Sequence, residues 1–255
     1  DVNGFTFLND GSLLLTLNQP ATISGLGLVD DSDIMRFIPS SLGETTAGRF
    51  ELYFDGSDVG LETNGEDIDV INVLADGSLL ISTLGNIRHG SIISKDEDLA
   101  RFIPTSLGNN TSGSWELYFD GSAVALTTAY EDVWAAHVDN ANNQIYLSTR
   151  GVFDVSGLAG KGGDIFICNV NALGTRTACR FSMFWQGNAY GFGSELIDGL
   201  YLGTGPRISI AAASMADSEE DAIELYDEVD DDILEDENGE ELILDQQIFL
   251  PIMIR

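Results

Sequence analysis

Two pairs of aspartates at alternate positions have the spacing that best suits metal binding in this chain. Asp31 and Asp33 form one pair, and Asp96 and Asp98 form a second pair in a later copy of the same surrounding sequence. Calcium binds about six to eight oxygen ligands, which such carboxylates supply together with backbone carbonyls. The spacing predicts calcium sites in these two loops. The alternative interpretation is that these aspartates only favour solvated turns.

A second cation hypothesis concerns Asp69 and Asp198. They occupy equivalent positions in two copies of the repeat, where the other two copies have Asn3 and Trp134. In a ring of sheets these positions fall on the first strand of each sheet, which lines the central axis. An inward ring of oxygens there predicts one bound ion or a set of ordered waters.

The charge of the chain limits its partners and offers a third cation site. The formal net charge is −31, and 16 of the 42 acidic residues lie between positions 217 and 245. Such a charge repels phosphate backbones and anionic lipid surfaces, which excludes nucleic acid and argues against membrane surfaces. The acidic run is either a solvated tail or a segment that needs cations to fold. The metal ligands predicted there are Asp230, Asp232 and Asp236.

The two cysteines, Cys168 and Cys179, fall on consecutive strand-like segments of one repeat. We expect a disulfide between them, which indicates an oxidising compartment; two free buried thiols are the alternative. No apolar run reaches the length of about 18 residues that spans a bilayer. The chain begins at Asp1 without a signal-like segment, as a processed secreted protein would.

Catalytic motifs are missing from the sequence. The only histidines are His89, in a predicted loop, and His137, which aligns with Thr6 and Asn72 on a predicted strand. There is no nucleophile elbow, phosphate loop or zinc-binding spacing. We therefore expect no enzymatic activity. Alternation along one predicted strand leaves Tyr53, Tyr118 and Phe184 on the solvent side, where they would form a glycan-binding surface unless they pack between sheets.

A repeat of about 65 residues must position all these groups. Three copies of one stretch read AGRFELYFDGSDVGL from Ala47, SGSWELYFDGSAVAL from Ser112 and ACRFSMFWQGNAYGF from Ala178. Each unit contains four short apolar stretches separated by turn signals such as Asp-Gly. Four antiparallel strands per unit predict an all-β, four-bladed β-propeller-like array. An open stack of four-stranded sheets is the alternative.

The expected blades lie near residues 1–65, 66–130 and 131–194, with a partial fourth at 195–212 in a repeat domain that spans 1–212. Residues 213–255 form an acidic extension with a predicted hairpin and an apolar terminal strand. That strand either completes the chain's own last sheet or adds to a neighbouring molecule. The residues predicted to mediate this contact are Ile248, Phe249, Leu250, Ile252 and Ile254.

The repeat units ELYFDGSDVGL and DGSLLLTL resemble tandem repeats of secreted or cell-surface bacterial proteins. The ending FLPIMIR is similar to short apolar-proline-apolar-basic endings of some bacterial extracellular proteins. The resemblance implies an extracellular or cell-surface setting, and it carries no catalytic residues over to this chain.

These observations predict a secreted structural or adhesive subunit that self-associates, forms a filament, and is stabilised by calcium. A monomeric propeller module that binds a glycan, the extracellular matrix or a protein is the alternative. A hydrolase or lyase, acting through paired carboxylates, comes third.

Overall fold

The computed structural model describes residues 1–90, 92–203 and 252–254. Strands dominate this part of the chain, and its only helical segments are three short 3₁₀ turns, at Ser57–Val59, Ser122–Val124 and Gly187–Tyr190. The strands in chain order are β1 Val2–Phe7, β2 Leu13–Leu17, β3 Ala21–Ile23, β4 Gly27–Val29, β5 Ile34–Ser41, β6 Ala47–Phe54, β7 Ile68–Val73, β8 Leu79–Thr83, β9 Ile87–His89, β10 Ile92–Ser94, β11 Leu99–Ser106, β12 Ser112–Phe119, β13 Val133–Asp139, β14 Gln144–Thr149, β15 Phe153–Val155, β16 Leu158–Gly160, β17 Asp164–Ala172, β18 Ala178–Gln186, β19 Ile197–Leu200 and β20 Ile252–Ile254.

The repeats fold as three antiparallel sheets of four strands. Sheet 1 has the order β1-β2-β5-β6, sheet 2 the order β7-β8-β11-β12, and sheet 3 the order β13-β14-β17-β18. The four antiparallel strands that the sequence predicts for each unit are therefore confirmed in three units. A small hairpin lies between the second and third strand of every sheet, formed by β3-β4, β9-β10 and β15-β16. The sequence pattern did not predict these hairpins, and His89 lies in one of them rather than in a loop.

Aspartate and glycine build the turn between the first two strands of sheets 1 and 2. Asp10 accepts hydrogen bonds from the backbone N–H and the hydroxyl of Ser12, at 3.0 and 2.6 Å, and Asp76 binds Ser78 in the same way. Gly11 has a φ of 84°, a left-handed conformation that glycine adopts without strain. An Asp-Gly-Ser turn therefore joins the first two strands of sheets 1 and 2.

Apolar side chains between successive sheets form the core. Phe54 of sheet 1 packs edge-on against Phe102 of sheet 2, with ring centroids 5.2 Å apart, and both side chains are fully buried. Phe119 of sheet 2 belongs to the corresponding cluster with Phe166 of sheet 3. A single sheet cannot bury its own face, so each unit depends on the next.

The first strands of the sheets lie next to one another. Strand β1 lies beside β7 and β19, and β13 lies beside the same two strands. Strand β19 pairs antiparallel with the terminal strand β20, with Ile197 opposite Ile254. The terminal strand therefore pairs with its own chain. The predicted second strand of the fourth unit and the predicted acidic hairpin lie outside the described residues.

Candidate functional site

The second aspartate of each predicted calcium pair serves as a backbone clamp. Both carboxylate oxygens of Asp33 accept N–H groups, one from Asp30 at 2.9 Å and one from Gly56 at 3.0 Å. Asp98 accepts the corresponding bonds from Lys95 and Gly121, each at 2.8 Å. These bonds tie the turn before the third strand to the end of the fourth strand.

The same clamp occurs in sheet 3, where Asp164 accepts N–H groups from Lys161 at 2.9 Å and Gly187 at 3.1 Å. Its recurrence in all three sheets gives Asp33 and Asp98 a structural role that the spacing of the sequence pairs did not reveal. Burial is the main cause that raises the pKa of both Asp33 and Asp98, and the hydrogen bonds oppose it.

The first aspartate of each pair lies where two sheets meet. The backbone carbonyl of Asp31 accepts the N–H of Ile68, and that of Asp96 accepts the N–H of Val133, both at 3.1 Å. Each bond brings the aspartate to the start of the next sheet's first strand. We call the group of Asp30, Asp31 and Asp67 the first junction, and the group of Asp69, Asp96 and Asp132 the second junction, because the charges within each group act on one another.

Burial and neighbouring acids disfavour the ionised carboxylates at both junctions. Burial raises the pKa of Asp67 to about 6, and the charges of Asp31 and Asp30 add to the effect. Burial raises the pKa of Asp132 to about 7, and Asp96 adds to it. The Trp134 indole N–H, which donates to Asp132 at 2.9 Å, and the positive charge of Arg150 offset this rise only in part.

Asp69 is the most extreme of these acids. Its side chain is fully buried, and burial together with the charge of Asp132 raises its pKa well above the ordinary value. Neither of its carboxyl oxygens has a hydrogen-bond partner. Its own N–H and that of Val70 are near enough to favour the carboxylate, but they do not meet hydrogen-bond geometry. One oxygen each of Asp67 and Asp132 is buried and unpartnered in the same way.

A β-bulge aims Asp69 into this position. The register of β7 against β8 shifts between Ile68 and Val70, which leaves Asp69 as the extra residue. The bulge recurs in the first strand of each sheet, as the pairing of β1, β13 and β19 shows. Bulges redirect side chains at functional positions. The residues at the bulges are Asn3, Asp69, Trp134 and Asp198, the set that the sequence predicts to be equivalent.

The third junction, between sheet 3 and β19, lacks charge. The carbonyl of Gly162 accepts the N–H of Ile197 at 2.9 Å, so Gly162 takes the place of Asp31 and Asp96. Leu196 takes the place of Asp67 and Asp132, and a Cβ added to Gly162 would meet its side chain at 2.7 Å. The described part of the chain thus contains two acidic junctions and one apolar junction with the same backbone arrangement.

The predicted metal ligands are only partly brought together. Asp31 and Asp96 join the junction acids, whereas Asp33 and Asp98 turn towards backbone amides. In residues 1–90 and 92–203, no three acidic, histidine or cysteine side chains are gathered closely enough to form a ready-made metal site. Asp198 is buried at its bulge. Asp230, Asp232, Asp236, Ile248, Phe249 and Leu250 lie outside the described residues, and Ile252 and Ile254 lie in β20.

Cys168 and Cys179 form the expected disulfide across β17 and β18. Their positions in the register match Phe37 and Gly48 in sheet 1, and Phe102 and Gly113 in sheet 2. In those sheets the phenylalanine ring covers the glycine, since an added Cβ on either glycine would meet the ring at 2.5 Å. The disulfide therefore replaces a ring-on-glycine contact.

The aromatic residues proposed for glycan binding are half-buried. Tyr53 and Tyr118 pack against the two main core clusters, and Phe184 packs edge-on against Tyr146 with ring centroids 4.9 Å apart. These contacts favour the packing alternative. Among the described residues, the aromatic side chains that are largely exposed are instead Tyr130 and Tyr190.

His137 lies on β13 beside Tyr201 and Tyr146. Burial lowers its pKa to about 4, so the imidazole is neutral at physiological pH. The register of the first strands aligns it with Thr6 and Asn72, as the repeat predicts. Perturbed carboxylates also occur in active sites, but the absence of enzymatic activity stays a prediction.

Comparisons with known proteins give no relative. The chain matches no protein-family model, no curated protein and no solved structure. In the described part of the chain, no helix is long and apolar enough to cross a membrane.

Proposed function

We propose that the protein is a secreted structural or adhesive module whose acidic sheet junctions bind calcium. We further propose that its sheets form a closed, four-bladed propeller-like ring. The neighbour relations of the first strands support the ring, because β1 and β13 each lie beside both β7 and β19. The disulfide supports an oxidising, extracellular setting.

The observation that carries the calcium proposal is the set of buried carboxyl oxygens without partners at the first and second junctions. Buried charges are normally paired or coordinate a metal. Calcium accepts carboxylates and backbone carbonyls in a flexible geometry and keeps water ligands where protein oxygens are few. Asp31 with Asp67, and Asp96 with Asp69 and Asp132, would hold the ions. Bound calcium would supply the positive charge that lets adjacent sheets approach, and the ionised carboxylates would hold the sheets in register.

Extracellular calcium matches such sites, since extracellular modules bind it with dissociation constants of about 10⁻⁴–10⁻³ M. A ligand present at about a hundredfold over its dissociation constant stabilises a fold by about 2.7 kcal/mol. For a protein of this size, that corresponds to a rise in melting temperature of about 5–10 °C.

Thermal unfolding of the full chain with excess calcium and with a chelator tests this proposal. Because the acidic run at 217–245 also attracts cations, the comparison needs variants of equal charge. The double variant Asp31→Asn with Asp96→Asn should lose most of the calcium-dependent shift. The control Glu44→Gln with Asp154→Asn removes two exposed acids elsewhere and should keep it. Equal shifts in both double variants would contradict binding at the junctions.

A monomeric binding module is the second candidate, and the pairing of β20 with β19 of the same chain favours it. In that case the terminal strand does not link subunits. Sedimentation of the full chain with calcium separates the two functions. Filaments or large oligomers support the structural subunit, and a monomer at all concentrations supports the discrete module.

A further inference from the structure

We call the face that the preceding sheet covers in sheets 2 and 3 the leading face. On sheet 1 this face carries an apolar groove that the corresponding faces of sheets 2 and 3 lack. The groove has a volume of about 620 Å³, and its lining includes Leu13, Leu15, Phe37, Leu42 and Phe50. The register of the strands shows which residues of the other sheets correspond to this lining.

The equivalent positions in sheets 2 and 3 are sealed. Leu79, Ile81 and Phe102 of sheet 2 are all 0% exposed, whereas their counterparts Leu13, Leu15 and Phe37 are only half-buried. In sheet 3 the counterparts of the two leucines are Ile145 and Leu147, which are 1% and 0% exposed. Apolar positions that are buried in two repeats therefore remain open in the third.

The end of the preceding sheet seals sheet 2. Trp115 donates its indole N–H to the carbonyl of Val59 at 3.1 Å, and Gly108 donates its backbone N–H to the carbonyl of Tyr53 at 2.8 Å. The hydroxyl of Thr111 accepts the N–H of Asp55 at 2.9 Å. The last strand of one sheet and the 3₁₀ turn after it thus cap the leading face of the next.

Sheet 1 has the same threonine turn that contacts the preceding sheet in sheet 2. Thr46 bonds the carbonyl of Gly43 at 2.9 Å, as Thr111 bonds that of Gly108 at 2.8 Å. Thr111 and its sheet 3 counterpart Thr177 are both 4% exposed, whereas Thr46 is exposed. The turn of sheet 1 can therefore bind the end of another sheet, which none of the described residues supplies.

The chain has a segment of the right length and position to fill this groove. Strand β19 already lies beside β1, and the rings of Tyr201 and Phe7 are 5.1 Å apart. Residues 204–251 follow, and the chain returns to β19 as β20. This segment is about as long as residues 74–119, which carry sheet 2 from the end of its first strand to the end of its last. It also contains apolar runs at 242–244 and 248–251.

We propose that residues 204–251 of the same chain occupy the apolar groove on sheet 1 and seal it as the preceding sheet seals sheet 2. This docking rests on the proposed ring, in which a fourth sheet would lie next to sheet 1, but it uses neither the junction carboxylates nor calcium. Its failure would therefore leave the calcium proposal unchanged.

Photo-crosslinking of the full chain tests the occupant. Photo-reactive p-benzoylphenylalanine replaces Phe37 in the groove, with Phe50 as a second position should the first variant fail to fold. The same group in place of Phe102 is a positive control, which should label residues 54–61 of the preceding sheet. In place of Leu28, which is 75% exposed, it is the solvent-facing control.

We expect position 37 to cross-link within one chain to a peptide from 204–251. The yield should be similar to that at position 102 and unchanged by about tenfold dilution, because an intramolecular contact is independent of concentration. Cross-links between two chains that fade on dilution would identify a second copy as the occupant and overturn the proposal. A yield at position 37 no higher than at position 28, with position 102 reactive, would also overturn it.

Discussion

The disulfide of sheet 3 and the ring-on-glycine contacts of sheets 1 and 2 occupy the same positions, which predicts how far each can replace the other. The double variant Cys168→Ala with Cys179→Ala removes the cross-link and leaves the space of the two sulfur atoms empty. The double variant Cys168→Phe with Cys179→Gly installs the pair that sheet 2 uses, Phe102 over Gly113.

The structure determines the loss in free energy of unfolding that we expect for each double variant. The two cysteines are separated by 11 positions in the sequence. A loop of about that length gains about 3 kcal/mol from its cross-link in the chain-entropy model. Burying a phenylalanine side chain contributes about 1.5–3 kcal/mol. The alanine pair should therefore lose about 3 kcal/mol or more of the free energy of unfolding, because Cys168 is also fully buried. The Phe-Gly pair should lose about 0–1.5 kcal/mol.

Equilibrium urea unfolding of the three full-length proteins without reductant measures these differences. Reducing the wild-type disulfide should move its curve towards that of the alanine pair, while the Phe-Gly pair should not respond to reductant. An alanine pair as stable as the wild type would show that the disulfide does not stabilise sheet 3. A Phe-Gly pair that is the least stable of the three would show that the ring-on-glycine contact cannot replace the disulfide.

Two further predictions concern titration and the backbone clamp. Burial lowers the pKa of His137 to about 4, so its contribution to stability is complete above its ordinary pKa of about 6.5 and is lost as the pH falls through 4. Between neutral pH and pH about 4, the free energy of unfolding of the wild type should fall by up to about 3 kcal/mol more than that of His137→Thr, in which the threonine matches Thr6 of sheet 1. Parallel pH profiles of the two proteins in urea unfolding would contradict this. Asp98→Ala leaves two N–H donors without acceptors and should cost about 2–4 kcal/mol, equally with calcium and with chelator, whereas Asp154→Ala serves as an exposed control. A loss for Asp98→Ala that appears only with calcium would make it a metal ligand instead.

The repeat in the sequence predicted the strands well because each strand is a run of apolar residues bounded by a turn signal. The four strands of sheet 2 match the four apolar stretches between Ile68 and Phe119. The small hairpins were missed because their strands have three residues each and show no periodicity. In β9-β10, only Gly90, with a φ of 60°, marks the turn.

The candidate site was predicted only in part. Alternate spacing grouped Asp31 with Asp33, but the fold separates their functions, since Asp33 binds backbone amides and Asp31 meets the next sheet. Asp67 and Asp132 were missed because their importance arises from contacts across sheets, which spacing along the chain does not encode. One signal was available, since Glu-Asp precedes the first strand of both sheets, at 66–67 and 131–132.

The most direct test of the account is a crystal structure of the full chain grown with calcium, with data collected at a wavelength where calcium scatters anomalously. This measurement locates each ion and so separates junction sites from binding by the acidic run at 217–245. We expect anomalous peaks at the first junction, between Asp31 and Asp67, and at the second junction, among Asp69, Asp96 and Asp132. We expect no peak at the third junction, where Gly162 meets Leu196. Saturating calcium with no peak at either acidic junction would show that the junctions do not bind calcium.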